Sequence, residues 1–94
     1  MTWTVRIAGR AKKQIDRLPE KIHSALVLLL TEVQTLGPVR SNWHHYGKLK
    51  GADGMHHCHL NKGRPRYVAV WKEAGGKIQL VEVVYAGTHE KAPY

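Results

Sequence analysis

The sequence predicts an α+β domain in which a first strand and a two-helix hairpin pack on one face of a small antiparallel β-sheet. Three observations carry that reading. Apolar residues recur with period two at the start of the chain and with a helical period up to Leu36, and beyond that they fall into short runs parted by turn residues. The 94 residues suffice for a single core, so one domain spanning 1–94 is expected. At 43% hydrophobic and 23% charged, the composition is that of a folded globular chain, which excludes a disordered tail.

Trp3, Val5 and Ile7 alternate with Thr2, Thr4 and Arg6, which reads as a strand with one buried face. From Ala8 the period lengthens. Ala11, Ile15 and Leu18 share one side of a short amphipathic helix, with Arg10, Lys13, Asp16 and Arg17 elsewhere on the wheel. Pro19 breaks that helix and opens the next, where Glu20 suits the positive end of the helix dipole. Ile22, Leu26, Leu29, Leu30, Val33 and Leu36 form its apolar stripe, which stops at Gly37-Pro38. An irregular stretch from Val39 to His45 precedes four expected strands, Tyr46 to Lys50, Met55 to Leu60, Arg66 to Lys72 and Ile78 to Tyr85. Turn residues separate them at Gly51 to Gly54, Asn61 to Gly63 and Glu73 to Gly76. The product is a meander with the helix pair on one side.

Fifteen Lys and Arg against seven Asp and Glu leave a net charge of +8, which predicts a polyanionic or acidic partner. The single cysteine, Cys58, excludes an internal disulfide and gives no sign of an oxidising compartment. The longest wholly apolar run, Ala25 to Leu30, is far below the ~20 residues of a membrane span. The first residues carry no signal-peptide h-region, so a cytoplasmic location is expected.

The basic excess is concentrated between Gly37 and Lys72, where Arg40, Lys48, Lys50, Lys62, Arg64, Arg66 and Lys72 face one acid, Asp53. His44, His45, His56, His57 and His59 lie in the same window, interleaved with Trp43, Tyr46, Tyr67 and Trp71. Arg and Lys hold phosphates while bases stack on flat rings, so Lys48, Lys50, Lys62 and Arg64 are candidate RNA contacts. Trp71, alternating with Val68 and Val70, reads as core instead. In the run Met55 to Leu60, strand parity sets His57 and His59 on the face opposite Cys58 and Leu60, where both project into the open. Two imidazoles so placed suit either a zinc ligand pair or a general base with a phosphate clamp. No Cys-x-x-Cys or His-Glu-x-x-His spacing supplies further ligands, and the arginines beside the pair favour a metal-free nuclease that needs no cofactor. Arg64 and Arg66 share parity across Pro65, and a guanidinium fork suits a dianionic phosphorane. At the chain's end, a Gly87-Thr88-His89 turn can aim His89 back over the sheet, next to Glu90.

The order strand, helix hairpin, meander resembles the RelE/ParE superfamily of bacterial toxins from type II toxin-antitoxin systems. The segments that carry the resemblance are Gly47-Lys48-Leu49-Lys50-Gly51, His57-Cys58-His59-Leu60, Gly63-Arg64-Pro65-Arg66-Tyr67-Val68 and Val81 to His89. The ending Gly-Thr-His-Glu is similar to the histidine-rich HigB- and YafQ-like branch. The resemblance implies a ribosome-dependent, metal-independent mRNA endoribonuclease, in which the substrate's 2′-hydroxyl attacks the adjacent phosphate to leave a 2′,3′-cyclic phosphate. It assigns the phosphate clamp to Arg66, the basic strand pair to His57 and His59, the acid for the leaving 5′-oxygen to His89, and loosely the terminal aromatic to Tyr94. Lysines of the founding type are histidines here, so His57, His59 and Glu90 all stand as candidate bases. A cognate antitoxin, acidic or with an acidic segment and itself DNA-binding, is the implied partner, together with the ribosome and mRNA. Two alternatives are a ParE-like gyrase-inhibiting toxin and a non-catalytic basic module that binds RNA or zinc.

Overall fold

Strand β1 (Thr4–Ile7) packs Val5 and Ile7 against the core and leaves Thr4 and Arg6 exposed, as its period-two pattern requires. The computed structural model describes residues 2–51, 53–74 and 79–94. Helix α1 (Gly9–Asp16) buries Ala11 and Ile15, and α2 (Glu20–Leu36) buries Ile22, Leu26, Leu29 and Val33. Pro19 is the N-cap of α2, in an extended conformation that ends one helix and starts the other. Gly37 terminates α2 at φ 102°, where an L side chain is disfavoured, and a Cβ there would lie 3.3 Å from the Trp3 indole nitrogen. No helix among the described residues is long and apolar enough to cross a membrane.

Strands β2 (Gly47–Lys48), β3 (Met55–His59), β4 (Tyr67–Ala74) and β5 (Leu80–Thr88) complete a five-stranded sheet of order β1-β5-β4-β3-β2. The expectation of an antiparallel sheet needs one correction: β1 pairs with β5 in parallel, so the sheet is mixed. The helices lie in the long crossover that a parallel neighbour requires, and alternation within β1 says nothing about its partner's direction. The expected Tyr46 to Lys50 strand contracts to two residues, while that from Arg66 starts at Tyr67 and runs to Ala74. The last strand continues to Thr88, beyond the expected Tyr85. Its expected start, Ile78, lies outside the described residues, as do Gly75 and Gly76 of the preceding turn.

The helix-facing side of the sheet contributes Cys58, Ala69, Trp71, Val81 and Ala86 to the main core. Trp71 is fully buried, as expected, and its indole N–H donates to the Pro38 carbonyl at 2.9 Å. His56 lies on this side too. It is fully buried, nearly parallel to Trp71, with Nδ1 2.7 Å from the Tyr46 hydroxyl and Nε2 2.6 Å from the Glu73 carboxylate. A carboxylate only accepts, so Nε2 carries the proton that points to Glu73. One histidine of the sequence cluster is therefore a core residue.

The opposite side carries a smaller apolar floor of Val68, Val70 and Tyr85, packed with Leu49, Met55, Val84 and Ala92. Tyr85 reaches it through a bulge. Val70 pairs with Tyr85 but Trp71 with Val83, which leaves Val84 without a partner and switches the strand's parity. Without that extra residue, Val81, Val83 and Tyr85 would all face the helices. The Tyr85 side chain crosses Gly87, where a Cβ would lie 2.8 Å from the phenol oxygen, and donates to the Thr88 carbonyl at 2.6 Å.

Candidate active site

His57 and His59 stand opposite Val70 and Val68 on the face away from the helices, the shared side that strand parity predicts. The expectation that both project into the open fails for His59, which is only 7% exposed. The loop between α2 and β2 folds over it: the His59 amide donates to the His44 carbonyl at 2.8 Å, and the His45 ring stacks on His59 at 4.4 Å. The His44 ring stands 5.8 Å from His59 and 4.3 Å from His45. His45 has φ 53°, a left-handed conformation that is uncommon outside glycine. His57 is half-buried and reaches over Gly47, where a Cβ would lie 3.3 Å from its Nε2.

Glu32 holds that loop. Its Oε1 accepts from Arg40 Nη1 at 3.2 Å, Asn42 Nδ2 at 2.9 Å and Trp43 Nε1 at 2.9 Å, so one carboxylate on α2 fixes the three side chains leading up to His44. The hydrogen bonds from Asn42, Trp43 and Arg40 hold the Glu32 carboxyl below its ordinary range.

The arginines come from the turn between β3 and β4. Asn61 closes it, donating from Nδ2 to the Pro65 carbonyl at 3.1 Å and accepting from the Tyr67 amide at 2.8 Å. Because β4 begins at Tyr67, this turn, and not strand alternation, places Arg64 and Arg66 together. They line a shallow pocket of about 300 Å³ with Pro65, Thr88, His89 and Glu90. The His89 amide donates to the Arg66 carbonyl at 2.8 Å, which extends the β4–β5 ladder and sets the two residues side by side on the pocket wall. A short 3₁₀ turn, His89–Lys91, then brings the last residue back over the sheet. The Tyr94 ring lies 4.6 Å from His57 and 5.8 Å from His89, and His89 lies 5.5 Å from His59. The tail is docked, and it closes an arc of rings running His57, Tyr94, His89, His59, His45, His44.

Of the candidates named from sequence, His57, His59, His89 and Tyr94 are in this arc and Arg64, Arg66 and Glu90 line the adjoining pocket. Lys62 is exposed in the arginine turn. Lys48 pairs with His56, which puts it on the opposite face of the edge strand from His57, and Lys50 is exposed in the turn that follows. Sequence reasoning counted His44 and His45 without placing them. The pairing of Gly47 with His57 implies their position, since two residues upstream of β2 correspond to two downstream in β3.

Burial is the main cause of the ionisation pattern. It pushes the His59 imidazole down to about 4, helped by the positive charge of His45, His89, Arg66 and His44. His57 is lowered as well, by burial first and then by His89, His45 and His56. Burial raises the Tyr94 phenol, which stays a proton donor. The Nδ1 atoms of His57 and His59 are buried without a hydrogen-bond partner among the described residues. Each such atom costs about 1–3 kcal/mol unless water or a ligand satisfies it. Cys58 points into the other side of the sheet, and burial pushes its thiol up to about 12, so it takes no part.

With this geometry in view, the comparison with solved structures defines the class of fold. The mutant Escherichia coli toxin RelE in the free state superposes with a TM-score of 0.75 at 22% identity, over 98% of this chain and 88% of that one. RelE in the archaeal RelE–RelB complex from Pyrococcus horikoshii gives 0.71 at 16%, over 98% and 100%. The Staphylococcus aureus YoeB–YefM complex gives 0.69 at 13%, over 95% and 99%. The chain therefore has the RelE toxin fold, which the sequence resemblance implied. No family model and no curated protein matches the sequence.

Proposed function

We propose that the chain is the toxin of a type II toxin-antitoxin pair and a ribosome-dependent endoribonuclease acting on mRNA. The observation that carries this reading is the convergence of Arg64, Arg66, His89 and Glu90 on one pocket, beside His57, His59 and Tyr94, in a protein of the RelE toxin fold. Arg66 and Arg64 hold the scissile phosphate and neutralise the charge gathering on its oxygens. The ribose 2′-oxygen bonds to phosphorus as its proton passes to a base, the bond to the 5′-oxygen breaks, and His89 gives that oxygen a proton. The products are a 2′,3′-cyclic phosphate and a 5′-hydroxyl end. His57, His59 and Glu90 are the candidate bases, and access separates them. His59 lies beneath the His44–His45 loop, whereas His57 is half-buried and Glu90 is exposed in the pocket. The latter two are within a substrate's reach. The Tyr94 ring lies tilted against His57 and offers a flat face to a neighbouring base.

The partner reading follows from charge and from the solved complexes of similar fold. A surplus of +8 calls for an acidic antitoxin segment, and the P. horikoshii and S. aureus structures are complexes with RelB and YefM.

The test is mRNA cleavage in a translation extract, read by primer extension. Arg66→Ala and His89→Ala are expected to lower cleavage by about 10²–10³-fold without disturbing the fold, since both side chains are exposed. His57→Gln and Glu90→Gln distinguish the two accessible bases. Undiminished cleavage by both Arg66→Ala and His89→Ala would overturn the reading.

A further inference from the structure

We propose that His44, His45 and His59 form a binding site for a divalent transition metal, with one coordination position left open to water. One ligand nitrogen from each ring lies within 4.8 Å of the other two. An ion holding imidazole nitrogens at about 2.0–2.1 Å in a tetrahedron sets them about 3.3 Å apart, so the rings need to close by at most about 1.5 Å. The loop is built for that closure. His59 is fixed in β3, while His44 and His45 are exposed side chains on a backbone already tied to His59 by the 2.8 Å hydrogen bond. The left-handed backbone at His45 is what turns its ring onto His59. The second, independent observation is the Nδ1 of His59, a polar atom on a nine-tenths-buried side chain with no hydrogen-bond partner among the described residues. Metal coordination gives the buried His59 ring a polar partner that no protein group supplies to its Nδ1 among the described residues.

The donor set selects the ion. All three ligands are imidazoles, with no carboxylate in the cluster, which rejects Mg²⁺ and Ca²⁺. The soft ligand Cys58 faces the opposite side of the sheet, so nothing here favours Cu(I). Imidazole nitrogens suit Zn²⁺ and Cu²⁺, and Cu²⁺ heads the affinity order of the divalent first-row ions, so the site suits these two foremost. Spacing motifs miss such a site because its ligands come from a loop and a strand that meet only through sheet register. One consequence rests on the ribonuclease reading: an ion here clamps the loop over the arc beside His89, 5.5 Å from His59, and holds the RNA face shut.

The experiment uses the full chain without a His-tag, stripped with EDTA. Calorimetric titration with Zn²⁺ is expected to show one ion per chain, and Co²⁺ the intense visible bands of four-coordinate geometry. Affinity is expected to fall at least about 10-fold in His44→Gln and in His45→Asn, whose replacement tolerates the left-handed backbone, and to be unchanged in His23→Gln on α2. His59→Gln, checked for folding by circular dichroism, is expected to abolish binding. Absence of stoichiometric binding, or equal affinity in wild type, His44→Gln and His45→Asn, would overturn the site. In the cleavage assay, stoichiometric Zn²⁺ is expected to inhibit wild type at least about 10-fold. The double variant His44→Gln/His45→Asn, relative to its own metal-free rate, is expected to be insensitive. Ion binding with undiminished cleavage supports the site and overturns the closure. A chain that cleaves no RNA in any state sinks the ribonuclease reading, while the titration still decides the site.

Discussion

Replacing Glu32 tests whether the histidine loop is held from α2. The two hydrogen bonds at 2.9 Å, from Asn42 and Trp43, count as charge-assisted contacts of about 1.5 kcal/mol each. The Arg40 pair is longer, at 3.2 Å, and adds about 0.5 kcal/mol. Water reaching the loop after the substitution returns part of that sum, so Glu32→Ala is expected to cost about 2–3 kcal/mol. In a domain of this size that corresponds to a fall in Tm of about 10–15 °C. Glu32→Gln keeps an acceptor and loses the charge, for about 1 kcal/mol. The folded-state carboxyl is held below its ordinary range, so its contribution is present above the unfolded value of about 4.3 and is lost as pH falls through the lower folded value. Urea unfolding followed by tryptophan fluorescence at pH 7 and pH 3 reads both effects. The difference between wild type and Glu32→Gln should be full at pH 7 and shrink at pH 3. A cost below about 1 kcal/mol for Glu32→Ala, or a difference that ignores pH, refutes the role given to this carboxylate.

Two other predictions concern the sheet. Gly87→Ala sets a methyl 2.8 Å from the Tyr85 oxygen, which is bonded to the Thr88 carbonyl, and should cost about 1–3 kcal/mol in thermal unfolding. Adding Tyr85→Phe should restore part of that loss; a neutral Gly87→Ala would show that the phenol moves aside freely. Burial pushes the Cys58 thiol up to about 12, so iodoacetamide at pH 8 should label it only in urea, as mass spectrometry would show. The raised folded value also means that thiol burial favours the fold below the unfolded value and ceases to do so as pH climbs towards 12. Rapid labelling of the native chain would contradict that burial.

Much of the fold was legible because each element carries its own period. Val5 and Ile7, the α2 stripe ending at Gly37, and the placement of Trp71 in the core all follow from local alternation or helical spacing. The parallel pairing of β1 with β5 was not legible, since direction belongs to the partner and not to the strand. Nor was the bulge at Val84, whose apolar run reads the same with or without a switch of face.

For the candidate site, the sequence by itself determined the chemistry available: arginines beside Pro65, imidazoles on the Met55 to Leu60 strand, and a His89-Glu90 turn at the end of the last strand. Parity alone put His57 and His59 on one face. Only the tertiary structure decided how open that face is. The loop carrying His44 and His45 folds over His59, Glu32 pins the loop from a helix distant in sequence, and the bulge and Gly87 bring Tyr85 beneath the ring arc. Burial and ionisation depend on what covers a side chain, and at His59 the covering residues come from sheet register, which no local pattern encodes.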